Sequence, residues 1–172
     1  MKNKLLVTLL VMVLLVVAAA EEAWADEQVY VSQFLERNAV GAELSEIECL
    51  ALNIYHEARG ESLIGQQYVA QVTMNRVRSN RFIADTVCEV VFQRRQFSWT
   101  HDGLPDWALD DDAWYLAYMI AIDFYHLKEK VSDDYADGYL WYYNPHKVRK
   151  DPVWAEGKLV RKVGNHLFLY RG

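Results

Sequence analysis

The chain has 172 residues and a formal net charge of −6. A length of this order buries one proper core and fits a single domain. The acidic balance speaks against a nucleic-acid partner, which favours basic surface, and leaves a carbohydrate substrate open.

The first predicted element is a targeting segment. Lys2 and Lys4 precede a nearly unbroken apolar run from Leu5 to Ala20, and Ala23-Trp24-Ala25 supplies a small-x-small pattern. That order reads as a secretory signal peptide over residues 1–25, with Asp26 as the first mature residue. The apolar run is about 16 residues, short of the roughly 20 that span a bilayer. The expectation is therefore cleavage and no stable membrane anchor afterwards; the alternative is an anchor that is retained. Losing two lysines and two glutamates leaves the net charge at −6.

Residues 26–44 form a polar lead-in, and 45–172 form the domain proper. Ser45-Glu46-Ile47-Glu48 fits a capping box, in which the serine oxygen and the glutamate each satisfy a free backbone N–H. Ile47, Leu50, Ala51 and Ile54 then recur at helical spacing as one buried face, and Gly60 is placed to end the helix with a left-handed cap. A second helix is predicted from Ile64 to Arg78, with Val69, Val72, Thr73, Met74 and Val77 on its buried side. Thr86-Val87-Cys88-Glu89 is a second capping box and opens a short helix through Phe92. A long helix is predicted from Asp111 to Lys130, acidic at its start and lysine-bearing at its end, as the helix dipole favours. Its stripe of Trp114, Ala117, Tyr118, Ala121, Ile122 and Tyr125 reads as core. Tyr139–Tyr143 is strand-like, and Leu159–Val163 and His166–Tyr170 flank a Gly164-Asn165 hairpin turn. The fold class is α+β: mainly helical, with a small C-terminal sheet or hairpin.

Two cysteines, Cys49 and Cys88, in an exported chain point to a disulfide rather than two buried thiols. It would tie the first helix to the short one and restrict the unfolded chain by about 4 kcal/mol in the entropy model.

The segment Asn53-Ile54-Tyr55-His56-Glu57-Ala58-Arg59-Gly60-Glu61 sets two carboxylates, an arginine and a histidine at the end of an apolar helix. Glycoside cleavage needs a carboxyl group that is protonated when it meets the leaving oxygen. Burial beside apolar or aromatic groups raises a glutamate toward a pKa of about 6. On composition alone the same residues also fit an ordinary solvated helix end.

The run from Glu48 to Glu61 closely resembles the signature of the SleB-type cell-wall hydrolases, the spore cortex-lytic enzyme family. The resemblance continues through Gly65, Val69-Ala70-Gln71-Val72, Asn75-Arg76-Val77, Thr86-Val87-Cys88, Val90-Val91 and Gln96-Phe97-Ser98-Trp99. It returns in Pro152-Val153-Trp154-Ala155 and Val163-Gly164-Asn165-His166-Leu167-Phe168. It implies a lysozyme-like domain over residues 45–172 that acts on peptidoglycan glycan strands by lytic transglycosylase or muramidase chemistry. It also implies that Glu57 is the catalytic acid and that no cofactor is required. Chemistry of this kind suits one essential carboxylate rather than a pair. Glu61 fits either a second acid or a salt bridge to Arg59. Gln96, Phe97, Ser98 and Trp99 are expected beside the cleft, Trp99 as a sugar platform or as core, with Tyr142, Tyr143 and Asn144 on the other side. Asn75 and Arg76 read as structural. Relatives often carry Gly-Ala-x-x-Tyr-His before the Pro-x-Trp segment. Here Gly138-Tyr139-Leu140-Trp141-Tyr142-Tyr143-Asn144 stands instead, with the histidine lost or moved to His146.

Two rival functions are weighed. One is a zinc amidase that cuts between N-acetylmuramic acid and L-alanine. It needs converging histidines among 56, 101, 126, 146 and 166, although His56-Glu57 lacks a histidine at position 60 to complete a His-Glu-x-x-His motif, so no metal ligand is assigned. The other is a peptidoglycan-binding domain without catalysis. A monomer in the periplasm or outside the cell is expected.

Overall fold

The structure, a computed structural model, describes Met12 and residues 44–79, 81–82, 84–126, 138–156 and 159–170. The expected signal peptide apart from Met12, its expected cleavage site, all of the expected lead-in but Leu44, and the expected extension of the long helix over residues 127–130 lie outside the described residues.

Helix α1 (Glu46–Ala58) starts at Ser45, and both hydrogen bonds of the expected capping box are made. It is buried on every side from Glu48 to Tyr55, not along one face, and Ile47 is only half-buried. A helix covered all round is the centre of a domain. The expected left-handed cap is absent. Arg59 closes the helix in right-handed geometry, its N–H donating to the Tyr55 carbonyl, and Gly60 is not among the positive-φ glycines.

Three helices surround α1. Helix α2 (Leu63–Arg78) is capped by the Ser62 hydroxyl. Helix α3 (Val87–Phe92) begins with the second capping box, at Thr86. Two links hold it to α1: the Cys49–Cys88 disulfide and a hydrogen bond from the Val87 N–H to the Glu46 carboxylate. Helix α4 (Asp111–His126) packs Trp114, Ala117, Ile120, Ala121 and Phe124 inward. Ile120 and Phe124 take the core positions that the sequence stripe gave to Tyr118, Ile122 and Tyr125, which are half-buried. The Tyr55 hydroxyl accepts from the Leu109 and Asp110 N–H groups, at 3.0 and 3.1 Å, and fixes the loop that enters α4.

The C-terminal third folds into one antiparallel sheet. Strands β1 (Tyr139–Tyr143), β2 (Leu159–Val163) and β3 (His166–Tyr170) lie in the order β1-β3-β2. The hairpin turn between Val163 and His166 is the one expected, with Gly164 at φ 57°. Phe168 carries the inner face of the sheet into a cluster with Ala58, Tyr68, Val69 and Val72. The resulting α+β architecture, helices first and a small sheet late, is the one the sequence indicates.

Candidate active site at the end of helix α1

The last turn of α1 faces a cleft of about 350 Å³. One wall is His56, Glu57, Ser98 and Trp99, and the other is Tyr142, Tyr143, Asn144, Lys147 and His166. Helix α2 brings the walls together. The Asn75 amide donates to the Tyr139 carbonyl at 3.0 Å and the Arg76 Nε to the Leu140 carbonyl at 2.9 Å, which docks β1 against the helix. This is the structural role expected of Asn75 and Arg76.

Glu57 is held in this cleft in a largely desolvated setting. Burial pushes its carboxyl above the ordinary glutamate value of 4.5, opposed by the facing Tyr142 hydroxyl and by the Arg76 and Lys147 charges. Desolvation disfavours the ionised form, so the proton stays on to higher pH. The Tyr142 hydroxyl is fully buried and has no well-directed hydrogen bond. It lies close enough to Glu57 and Asn53 to feel both, and burial followed by the Glu57 charge pushes it well above its ordinary value. Behind it, the Arg76 guanidinium is buried against the Phe97 ring at 4.9 Å. Its Nη1 has no hydrogen-bond partner. Burial lowers the Arg76 pKa, while Tyr142 and Glu57 pull it back up. A carboxyl poised between desolvation and two nearby donors can give up a proton and then be stabilised as an anion.

Glu61 stands one turn further on in a different setting. Its oxygens accept from the Asn165 N–H at 3.0 Å and the Asn165 side-chain amide at 2.9 Å. His166 Nδ1 lies 3.6 Å away. These contacts clasp the α1–α2 turn to the β2–β3 hairpin, in place of the alternative bridge to Arg59. Burial works to raise its pKa, but the Asn165 bonds and His166 prevail and hold it below the ordinary value.

Trp99 is buried, with its Nε1 donating to Asn53 Oδ1 at 3.1 Å. Asn53 in turn donates to the Thr73 hydroxyl at 2.9 Å. The His56 ring stacks on the indole at 4.4 Å between centroids, so Trp99 forms wall rather than an open platform. The His56 Nε2–H donates to the Asp106 carbonyl at 2.8 Å, and burial lowers its pKa, which favours the neutral ring. Ser98 is exposed in the cleft. Phe97 and Gln96 do not line it: Phe97 is buried beneath Arg76, and Gln96 is half-buried outside. Asn144 lines the cleft and also caps the following turn, its Oδ1 accepting from the His146 N–H at 2.9 Å. His146 is exposed and outside the lining.

Sequence reasoning missed His56, Lys147 and His166 as lining residues. His56 and His166 stand inside the motif blocks, which could have flagged them; Lys147 carries no local signal. Among the described residues, no three His, Cys, Asp or Glu side chains converge as a metal ion requires.

Residues 60–169 match the family model described as Cell Wall Hydrolase. That match begins just after Glu57, whose setting is read from this chain's own geometry. The spore cortex-lytic enzyme of Oceanobacillus iheyensis is 32% identical over 128 residues, covering 74% of this chain and 42% of the relative. That of Bacillus cereus is 30% identical, covering 74% and 45%. The chain thus spans less than half the length of these relatives. The solved catalytic domain of the Bacillus cereus SleB protein superposes with a TM-score of 0.55 at 29% identity, covering 72% of this chain and 88% of that one. The catalytic domain of the germination-specific lytic transglycosylase SleB from Bacillus anthracis gives 0.56 at 30% identity, covering 75% and 97%. The expected lysozyme-like α+β fold is therefore met. With the family model covering well over half of the sequence, the chain belongs to the cell wall hydrolase family.

Proposed function

We propose that the chain cleaves peptidoglycan glycan strands between N-acetylmuramic acid and N-acetylglucosamine as a lytic transglycosylase, with Glu57 as acid and then base. The observation that carries this is the desolvated Glu57 carboxyl, raised by burial and facing the Tyr142 hydroxyl in an open cleft. The proton on Glu57 passes to the glycosidic oxygen as the C1–O bond breaks. The carboxylate that remains, stabilised by Tyr142 and Arg76, takes the proton of the muramic C6 hydroxyl. That oxygen closes on C1 to give a 1,6-anhydro end and restores the acid, and no water is consumed. The names of the solved and curated relatives support this reaction class. The substrate implies a site of action outside the cytoplasm, and we place the chain in the periplasm, exported by residues 1–25, with 45–172 as the catalytic domain working as a monomer.

The test is mass spectrometry of soluble products from purified peptidoglycan treated with the chain or with Glu57→Gln, each with and without a chelator. Anhydro-muropeptides from the wild type alone, unaffected by chelator, are the expected result. Hydrated muropeptides would keep Glu57 and change the outcome to hydrolysis. Free peptides released in a chelator-sensitive way, with Glu57→Gln still active, would move the chemistry to the histidines.

A further inference from the structure

A second cavity of about 240 Å³ adjoins the Glu57 cleft. The two share His56, Arg59, Trp99, Asp102 and Leu104 as a common border. Beyond that border the second cavity is walled by apolar groups, chiefly Tyr55, Pro105 and Trp107.

Arg59 gives this space its character. It is exposed at the end of α1, and its guanidinium lies 4.8 Å over the Tyr55 ring. Among the described residues no carboxylate pairs with it. A guanidinium resting on an aromatic face keeps its outer N–H groups free for a bidentate carboxylate. Asp102 borders the same space, and its Oδ1 caps the loop by accepting from the Leu104 N–H at 2.8 Å. A cation and an anion above an apolar wall match a ligand with carboxylate, amino group and small apolar side chains together. A neutral sugar could hydrogen-bond to both groups but would neutralise neither charge.

We propose that this second cavity binds the stem peptide borne by the muramic acid residue, with a peptide carboxylate on Arg59 and an amino group toward Asp102. The inference rests on the reaction assigned above, which sets the muramic ring at Glu57 with its lactyl peptide within reach of the shared border. The consequence is selection of peptide-bearing strands over bare ones.

The experiment uses the purified full chain and two preparations of the same glycan strands, one intact and one enzymatically stripped of peptide. The ratio of cleavage rates on the two is compared for wild type, Arg59→Gln and Trp107→Ala. Charge-assisted bidentate contacts lead us to expect a wild-type preference for intact strands of about tenfold, most of it erased by either substitution. An unchanged ratio in both variants overturns the proposal while leaving the reaction intact. In parallel, calorimetry on Glu57→Gln compares an N-acetylmuramyl tetrapeptide with the peptide-free sugar. About tenfold tighter binding of the peptide form supports the cavity, and equal affinity sinks it. Should the wild type cut neither preparation, the reaction assignment fails, and the binding measurement alone still decides the cavity.

Discussion

The end of helix α1 and the turn that follows it each carry a glutamate, four positions apart, in opposite electrostatic settings. Glu57 meets the cleft with little water and no well-directed hydrogen bond from the hydroxyl that faces it, and its pKa is raised. Glu61 meets the hairpin with two good hydrogen bonds from Asn165, and its pKa is lowered. The residue type is the same and burial opposes charge in both; Glu57 is the more deeply desolvated, and Glu61 is the better satisfied as an anion. The well-satisfied carboxylate joins two parts of the fold, whereas the poorly satisfied one keeps a proton available. Pairs pushed apart in this way are how a single fold separates structural from chemical carboxylates.

The widest test of that contrast is Glu57→Gln. Product formation should fall by about a thousandfold or more, as for loss of a general acid, measured as anhydro ends released per minute. Stability should move the other way. A raised native pKa means the folded state holds a proton between the ordinary value and the raised one, so Glu57 costs stability as pH rises through that window. The variant should therefore unfold at a higher temperature than the wild type at neutral pH, and a lower one would break the comparison. Next is Gly164→Ala. An added Cβ would sit 2.1 Å from the Glu61 Oε2, at a φ of 57°. The clasp must shift, at a cost of about 1–3 kcal/mol by denaturant unfolding. Glu61→Ala should follow at about 1–2 kcal/mol from two lost hydrogen bonds. Because the native pKa of Glu61 is lowered, its contribution is complete above the unfolded value near 4.5 and is lost as pH falls through the native one. The stability gap between wild type and variant should therefore close on acidification; a gap independent of pH would show that Asn165 does not favour the charged form.

Elements stabilised by neighbours in sequence were legible before the structure. Ser45 with Glu48 and Thr86 with Glu89 need only three-residue spacing, and both boxes form. The Gly164-Asn165 turn is local in the same way. Gly60 misled because its helix ends through Arg59 in right-handed geometry. The burial of α1 on all sides depends on three other helices and a sheet, which a periodicity of apolar residues cannot report. In the site, the motif marks Glu57 as the candidate acid, while its raised pKa comes from burial by distant parts of the chain and is held back by Tyr142, Arg76 and Lys147, which come from β1, α2 and the turn after β1. Phe97 and Trp99 show the limit of side-chain type: two aromatics in one motif, one under a guanidinium and one stacked on His56.

Tyr142→Phe probes the same contrast most finely, because it alters one partner of Glu57 and leaves the volume of the ring in place. The hydroxyl favours the Glu57 anion and so works against burial. Removing it should raise the Glu57 pKa further. Since the acid form is needed to protonate the leaving oxygen, kcat/KM falls as pH rises through that pKa, and the descending limb should move to higher pH in the variant. The second half of the reaction needs the anion, which loses a donor, so the plateau rate should drop by about tenfold or more, the worth of one hydrogen bond to a charged group. A merely structural role for Tyr142 would lower the plateau without moving the limb. A limb that moved down would mean that the hydroxyl opposes the charge on Glu57, and the account of how this cleft holds its proton would have to be rebuilt around Arg76 alone.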